Sequence, residues 1–337
     1  MIVDLRSDTV TKPTPGMLEA MWSAKVGDDV FGEDEAINEL EAKAAKIFGM
    51  EAGIFCPSGT MTNQIAIKCF TQPLDELIAD QTAHVYRYEG GGIAFNSSVS
   101  TRLLNGPRGV ITAEMIEPEI NAENVHYPRT SLVVLENTVN RGGGKCYTLE
   151  EIKPIAALCK AKGLKLHLDG ARIFNALIKT GDSAEEYGKY FNGISVCLSK
   201  GLGAPVGSVF LADKETIKYA RRLRKVFGGG MRQAGFLAAA GSYALDHHVQ
   251  RLSIDHAHAQ ILADALAQCP MVTSVMPPET NLVLFDTVEP ATVMLQKLAE
   301  HGIKALSTAH AHRIRFVLHL DVHPEQVEYV VKVIASL

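Results

Sequence analysis

Short apolar runs alternate with amphipathic segments along this chain, the pattern of an α/β fold in which helices cover buried strands. Ser131–Leu135 (SLVVL), Lys165–Leu168 (KLHL), Ile194–Leu198 (ISVCL) and Ser208–Leu211 (SVFL) read as strands. Between the first two lies TLEEIKPIAALCKAKG, where Thr148 can cap a helix with Glu151 and Gly163 can end it. That strand–helix–strand unit has the length of a right-handed parallel crossover. Upstream, Ala36–Phe48 reads as a helix stopped by Gly49, and Thr60–Phe70 as another.

The texture changes near residue 245. Arg251–Cys269 reads as a helix with apolar Leu252, Ala259, Leu262 and Leu266. Short strands at Asn281–Phe285 and Arg313–Leu318 follow, with helices at Ala291–His301 and Glu325–Ile334. This predicts a large α/β domain over residues 1–245 and a small C-terminal α+β domain over 246–337. A length of 337 residues agrees with about two domains.

Composition narrows the functional classes. With 47% hydrophobic and 21% charged residues the chain is an ordinary globular one, and disorder is excluded as its main state. A net charge of −5 with no basic stripe argues against nucleic acid as a partner. Asp4, Arg6 and Asp8 interrupt the first ten residues, so no leader is expected there, and the Ala/Gly-rich stretch Gln233–Leu245 is too short to span a bilayer. The 6 cysteines are scattered without a C-x-x-C pair, which predicts reduced core thiols and a cytoplasmic location.

The sharpest chemical signal is an Asp and a Lys after consecutive strands. Asp169 ends KLHLD and Lys200 follows ISVCLS; in an open parallel sheet both would face the crevice at the carboxyl ends of the strands. A lysine amine used with a distant carboxylate points to pyridoxal phosphate: the lysine bonds to the aldehyde, and the carboxylate keeps the pyridine nitrogen protonated. The plain alternatives are a solvated loop lysine and a helix-capping aspartate. Ser58, Gly59 and Thr60 open a helix and form a candidate phosphate cup. Arg232, after the Gly228–Gly230 run, could add a guanidinium to a phosphate.

His84, before a Gly-rich loop, could stack on a planar cofactor or act as a base, and His126 is a second, weaker candidate. His247, His248, His256 and His258 read as a solvated helix face. Neither H-E-x-x-H nor EF-hand spacing occurs, so no catalytic metal is expected.

Several stretches carry a resemblance in chain order: LRSDTVT (5–11), VGDDVFGED (26–34), PSGTMTN (57–63), AHVYRYEGGG (83–92), ENT (136–138), LHLDGARIFNA (166–176), CLSKGLGAPVGS (197–208), GGGMRQAG (228–235) and RFVLHLD (315–321). Together they resemble the low-specificity L-threonine aldolases of the β-eliminating-lyase group. The resemblance implies an aspartate-aminotransferase-like fold, type I among pyridoxal-phosphate enzymes, with a mostly parallel sheet in its large domain. It also implies retro-aldol cleavage of β-hydroxy-α-amino acids, L-threonine and L-allo-threonine, to glycine and acetaldehyde, and a homotetramer whose active sites are shared at a dimer interface. By the same resemblance Lys200 bonds the cofactor, Asp169 meets the pyridine nitrogen, Arg172 reaches a cofactor oxygen or the substrate carboxylate, and His84 stacks on the ring. Ser7 and Arg315 match substrate-carboxylate ligands, and Arg232 a phosphate contact from a neighbouring subunit. Tyr88 and His126 match positions near the β-hydroxyl. Val139 stands where many members have histidine, which bears on substrate preference. Racemisation or β-elimination on the same cofactor, and a non-catalytic binding protein, are the rival expectations.

Overall fold

Seven strands build the main sheet, in the spatial order Ala52–Cys56, Ser208–Ala212, Gly193–Cys197, Lys165–Gly170, Arg129–Glu136, Asp75–Asp80, Ser100–Leu104. In the computed structural model, which describes residues Met1–Leu337, Ser208–Ala212 alone runs against both neighbours. The other strands therefore point one way, and their carboxyl ends share one edge. Strands buried on both faces need apolar side chains on both, which is why the sequence shows continuous runs rather than alternation. Leu132, Val133, Leu168, Ile194, Val209 and Leu211 are buried here.

The helices are stopped and started by the residues that predict them. Thr148 Oγ1 accepts from the Glu151 N–H while the Glu151 carboxylate accepts from the Thr148 N–H, closing a capping box on Leu149–Lys162. Gly163 ends it at φ +69°, a left-handed position that glycine takes without cost. Ser58 caps Gly59–Phe70 through the Met61 N–H.

A second, four-stranded antiparallel sheet has the order Leu306–Ser307, Arg313–Val317, Leu282–Thr287, Val272–Met276. With helices Leu252–Ala267, Ala291–Glu300 and Pro324–Ser336 it encloses a separate core of 21 buried residues, to which Val3 and Leu5 also belong. Val3–Asp4 pairs in parallel with Ile303–Lys304, and the Val317 N–H donates to Leu5 O at 2.9 Å. The amino-terminal segment is thus sewn into the C-terminal unit before it crosses to the large sheet. Helix Leu252–Ala267 joins the two cores, with Leu252 in the first and Leu262 and Leu266 in the second.

Two expectations meet the structure differently. The cysteines are all free, and five are buried; burial pushes Cys56, Cys69, Cys146 and Cys159 up to about 12, so they remain thiols at neutral pH. The predicted solvated histidine face is corrected. Only His247 is exposed, whereas His248 and His258 are buried and His256 is partly so. His248 Nδ1 lies 2.7 Å from Leu202 O and His256 Nε2 lies 3.0 Å from Asn175 Oδ1, so these rings are tied to the large unit instead of facing water. No helix is long and apolar enough to cross a membrane.

Candidate active site

The carboxyl edge of the main sheet collects the predicted residues. Glu136, Asp169 and Ser195 stand side by side in register on adjacent strands. Lys200 follows the next turn, where its backbone carbonyl accepts from the Gly203 N–H at 2.8 Å and from Thr11 Oγ1 at 3.2 Å. Gly203 sits at φ +78°, and a Cβ there would come within 2.4 Å of the Leu320 side chain, so only glycine allows this turn.

One bank of the crevice is acidic. Asp169 is buried; Asn63 Nδ2 donates to its Oδ2 at 2.9 Å and the Ala171 N–H to its Oδ1 at 3.1 Å. The same Asn63 amide donates to Glu89 Oε1 at 2.9 Å, and Gln64 Nε2 donates to Glu89 Oε2 at 2.6 Å. His167 lies behind, its Nε2 3.2 Å from Asn63 Oδ1 and its Nδ1 3.0 Å from Gly193 O, while the two carboxylates that accept from Nδ2 fix which way the Asn63 amide points. Burial pushes His167 down to about 4, so it is neutral.

His84 and Glu136 complete this bank. His84 Nδ1 lies 2.9 Å from Glu89 Oε1. Burial works against a proton on His84, but the bond to Glu89 and the charges of Asp169 and Glu136 leave its pKa raised. The His84 and Asn140 N–H groups donate to Glu136 at 2.7 and 2.9 Å. Burial, then repulsion from Asp169, still pushes the Glu136 carboxyl up to about 7. Ligand atoms of His84, Glu89 and Asp169 lie within 4.8 Å of one another, a spacing that hydrogen bonds from Asn63 already organise.

The opposite bank is cationic. Arg172 donates from Nε and Nη2 to Asp8 at 2.7 and 2.6 Å, both side chains buried, which leaves Nη1 free of protein partners. Burial works to raise the Asp8 carboxyl, but Arg172 brings it down to about 2, with Lys200 adding to the pull. Arg315 has no carboxylate partner. Its Nη1 donates to Asn140 Oδ1 at 2.8 Å and its Nη2 to Arg6 O at 3.1 Å. Burial first, then the charges of Arg172 and Arg141, lower it to about 10. Ser7 caps the turn Asp8–Val10 beside this pair, and the Tyr88 ring lies 5.7 Å from that of His84.

At the third corner Gly59–Phe70 presents its first turn. Gly59 and Thr60 N–H groups have no helical partner there, and the buried Ser208 Oγ beside Gly59 has none either. An unpaired amine, a buried carboxylate with acceptor capacity left, and an unpartnered hydroxyl at a helix start are the donor set that a phosphorylated pyridine aldehyde needs. The residues present fit pyridoxal phosphate.

Two predicted residues lie elsewhere in their own chain. His126 is exposed and precedes strand Arg129–Glu136, so it sits at the amino edge, one strand length (about 25 Å) from Asp169. Arg232 is half-exposed and pairs with Asp28 at 2.8 Å; Gly229 nearby packs on Met61 of the cup helix. Sequence reasoning passed over Asp8, Asn63, Glu89, Glu136, Asn140 and Arg141. All but the last two fall inside the motif stretches quoted above, so the signal was present and only the pairings were hidden.

A cofactor crevice at the carboxyl edge of such a sheet, closed by a small antiparallel unit, defines a fold-type-I pyridoxal-phosphate architecture. The profile of the beta-eliminating lyase family matches residues 4–290. The low specificity L-threonine aldolase of Escherichia coli K12 is 40% identical over 327 residues, covering 97% of this chain and 96% of the relative. A probable low-specificity L-threonine aldolase 2 of Arabidopsis thaliana is 41% identical, covering 97% and 95%. The chain belongs to the beta-eliminating lyase family, among its low-specificity L-threonine aldolases. Among solved structures, a threonine aldolase of Leishmania major superposes with a TM-score of 0.86 at 21% identity, covering 99% of each chain. A serine palmitoyltransferase of Sphingomonas wittichii does so at 0.78 and 16%, covering 99% of this chain and 86% of the other, which extends the fold beyond aldolases.

Proposed function

We propose that this chain is a pyridoxal-phosphate-dependent aldolase that cleaves L-threonine and L-allo-threonine to glycine and acetaldehyde. The observation that carries the reading is the crevice itself: Lys200 and the buried, doubly hydrogen-bonded Asp169 on one sheet edge, opposite an Arg315 with no acidic partner. Pyridoxal phosphate, when bound, supplies an aldehyde for Lys200 and an electron sink conjugated to the substrate's Cα.

Asp169 presents its carboxylate to the pyridine nitrogen, and Asn63 with the Ala171 N–H holds it in that orientation. Ser58, Gly59, Thr60 and Ser208 receive the phosphate at the helix start, where the dipole favours an anion. Arg315, Ser7 and the free Nη1 of Arg172 bind the substrate carboxylate. Pinning it there turns the Cα–Cβ bond out of the plane of the ring, and this orientation selects which bond breaks. His84 covers the ring and, tied to Glu89, takes the β-hydroxyl proton or relays it through water.

The exposed tip Val125–Tyr127 and the half-exposed Arg232 support a homotetramer in which each dimer partner lends these side chains to the other's site. His126 then acts near the β-hydroxyl of the partner's substrate. Residues 1–245 carry the cofactor and 246–337 form the small domain that brings Arg315, with a cytoplasmic place in threonine breakdown and glycine formation. Incubation with L-threonine and L-allo-threonine tests the reading: glycine and acetaldehyde in equal amounts are expected. Accumulation of a D-amino acid or of an oxo acid and ammonia instead would overturn it in favour of racemisation or β-elimination.

A further inference from the structure

Beside Arg315 opens a cavity of about 360 Å³ lined by no Asp or Glu, in which Arg141, His310, Arg313 and Arg315 share the wall with Thr82 and Asn140. Arg313 is neutralised, donating to both oxygens of Asp286 at 2.8 Å. Arg315 and Arg141 are not. Arg141 forms no ion pair; its guanidinium lies 5.6 Å from the centroid of the Tyr88 ring, an interaction that places the charge without cancelling it. Its field reaches Arg315, whose proton it helps to loosen. His310 Nδ1 accepts from the His312 N–H at 3.4 Å, which leaves Nε2 as a donor.

The substrate carboxylate takes only one of these cations. Since Tyr88 touches both His84 and Arg141, the second cation stands at the Cβ end of the crevice, where the departing half of the substrate lies. We propose that this chain also cleaves β-hydroxy-α-amino acids that carry a second carboxylate on Cβ, with Arg141 binding that group. This rests on the aldolase reading above. In the step, the β-hydroxyl proton goes to the base, the O–H pair becomes the new C=O, and the Cα–Cβ pair passes to Cα. Cα then gains a proton, so glycine and a two-carbon oxo acid leave and no oxidant is needed. A guanidinium meets a carboxylate through paired N–H donors, a match that threonine's methyl group cannot use.

The test compares L-threonine with L-3-hydroxyaspartate on the cofactor-loaded enzyme and its R141Q variant. The expected result is cleavage of both, with the hydroxyaspartate-to-threonine ratio of kcat/KM falling roughly 10-fold or more in R141Q, as for a lost charge-assisted hydrogen bond. Taking the ratio removes any general damage to the variant. A second readout is independent of turnover: by titration calorimetry L-aspartate should bind the wild type more tightly than L-alanine, and R141Q should lose that difference. If threonine is cleaved but hydroxyaspartate is not, or the ratio is unchanged in R141Q, the inference is overturned and the aldolase reading stands. If neither is cleaved, both fall.

Discussion

The two banks of the crevice solve opposite electrostatic problems. The acidic bank gathers Glu89, Glu136 and Asp169 with one imidazole, and each carboxylate is held by amide or backbone donors. The cationic bank gathers Arg172, Arg315 and Arg141, and only Arg172 has a carboxylate partner. The first has every carboxylate held in place before any ligand arrives. The second is short of anions, and its donors rest on carbonyl oxygens and a ring until one binds. The contrast separates a bank that tunes protons from a bank that recognises substrate.

The largest effect belongs to the residue between the banks. Lys200→Ala is expected to cut turnover by about 10³-fold or more and to abolish the yellow colour, while circular dichroism stays unchanged. A fully active variant would leave the comparison without a centre.

Stability separates the banks next, with opposite signs in pH. Asp8 is held at about 2 against an ordinary 3.8, so its contribution is present above pH 3.8 and is lost as pH falls through 2. Glu136 is raised to about 7 from 4.5, so ionising it costs stability as pH rises from 4.5 towards 7. Asp8→Asn should cost about 3–5 kcal/mol in urea unfolding at neutral pH, because Arg172 is left buried and unpaired. Glu136→Gln should remove the fall in stability between pH 4.5 and 7. Equal losses from both substitutions would erase the distinction.

Arg315→Gln should raise KM for threonine roughly 10–100-fold, with little change in melting temperature, since no carboxylate is left behind. The smallest expected effect is on the acidic bank. Glu89→Gln removes the bond that raises His84, so the acid limb of the pH–rate profile should move to lower pH. A limb that stays in place would take His84 out of the proton transfer.

Much of this was legible in the sequence because it is local. Thr148 with Glu151, Ser58 before its helix and the continuous apolar strands act over a few residues. The end-of-strand positions of Asp169 and Lys200 follow from the same local pattern. What stayed hidden depends on distant partners: Arg172 with Asp8 across the fold, Asn63 between two carboxylates, and His248 against Leu202 O. A two-residue strand such as Val3–Asp4 has too short a pattern to show at all. His126 teaches a different point. It precedes a parallel strand, and that alone puts it on the edge away from Asp169.

The pairing of Val3–Asp4 with Ile303–Lys304 has a consequence for biosynthesis. Ser7 and Asp8 are synthesised well before the main sheet, yet Ile303–Lys304, which anchors their segment, and Arg315, which they accompany, are made only after that sheet. At ~5–20 residues per second the nascent chain spends roughly 5–20 s with its main sheet able to form and its carboxylate-binding corner unfinished. Competence for catalysis should therefore appear as a late, single event, after the large sheet has already become resistant to protease.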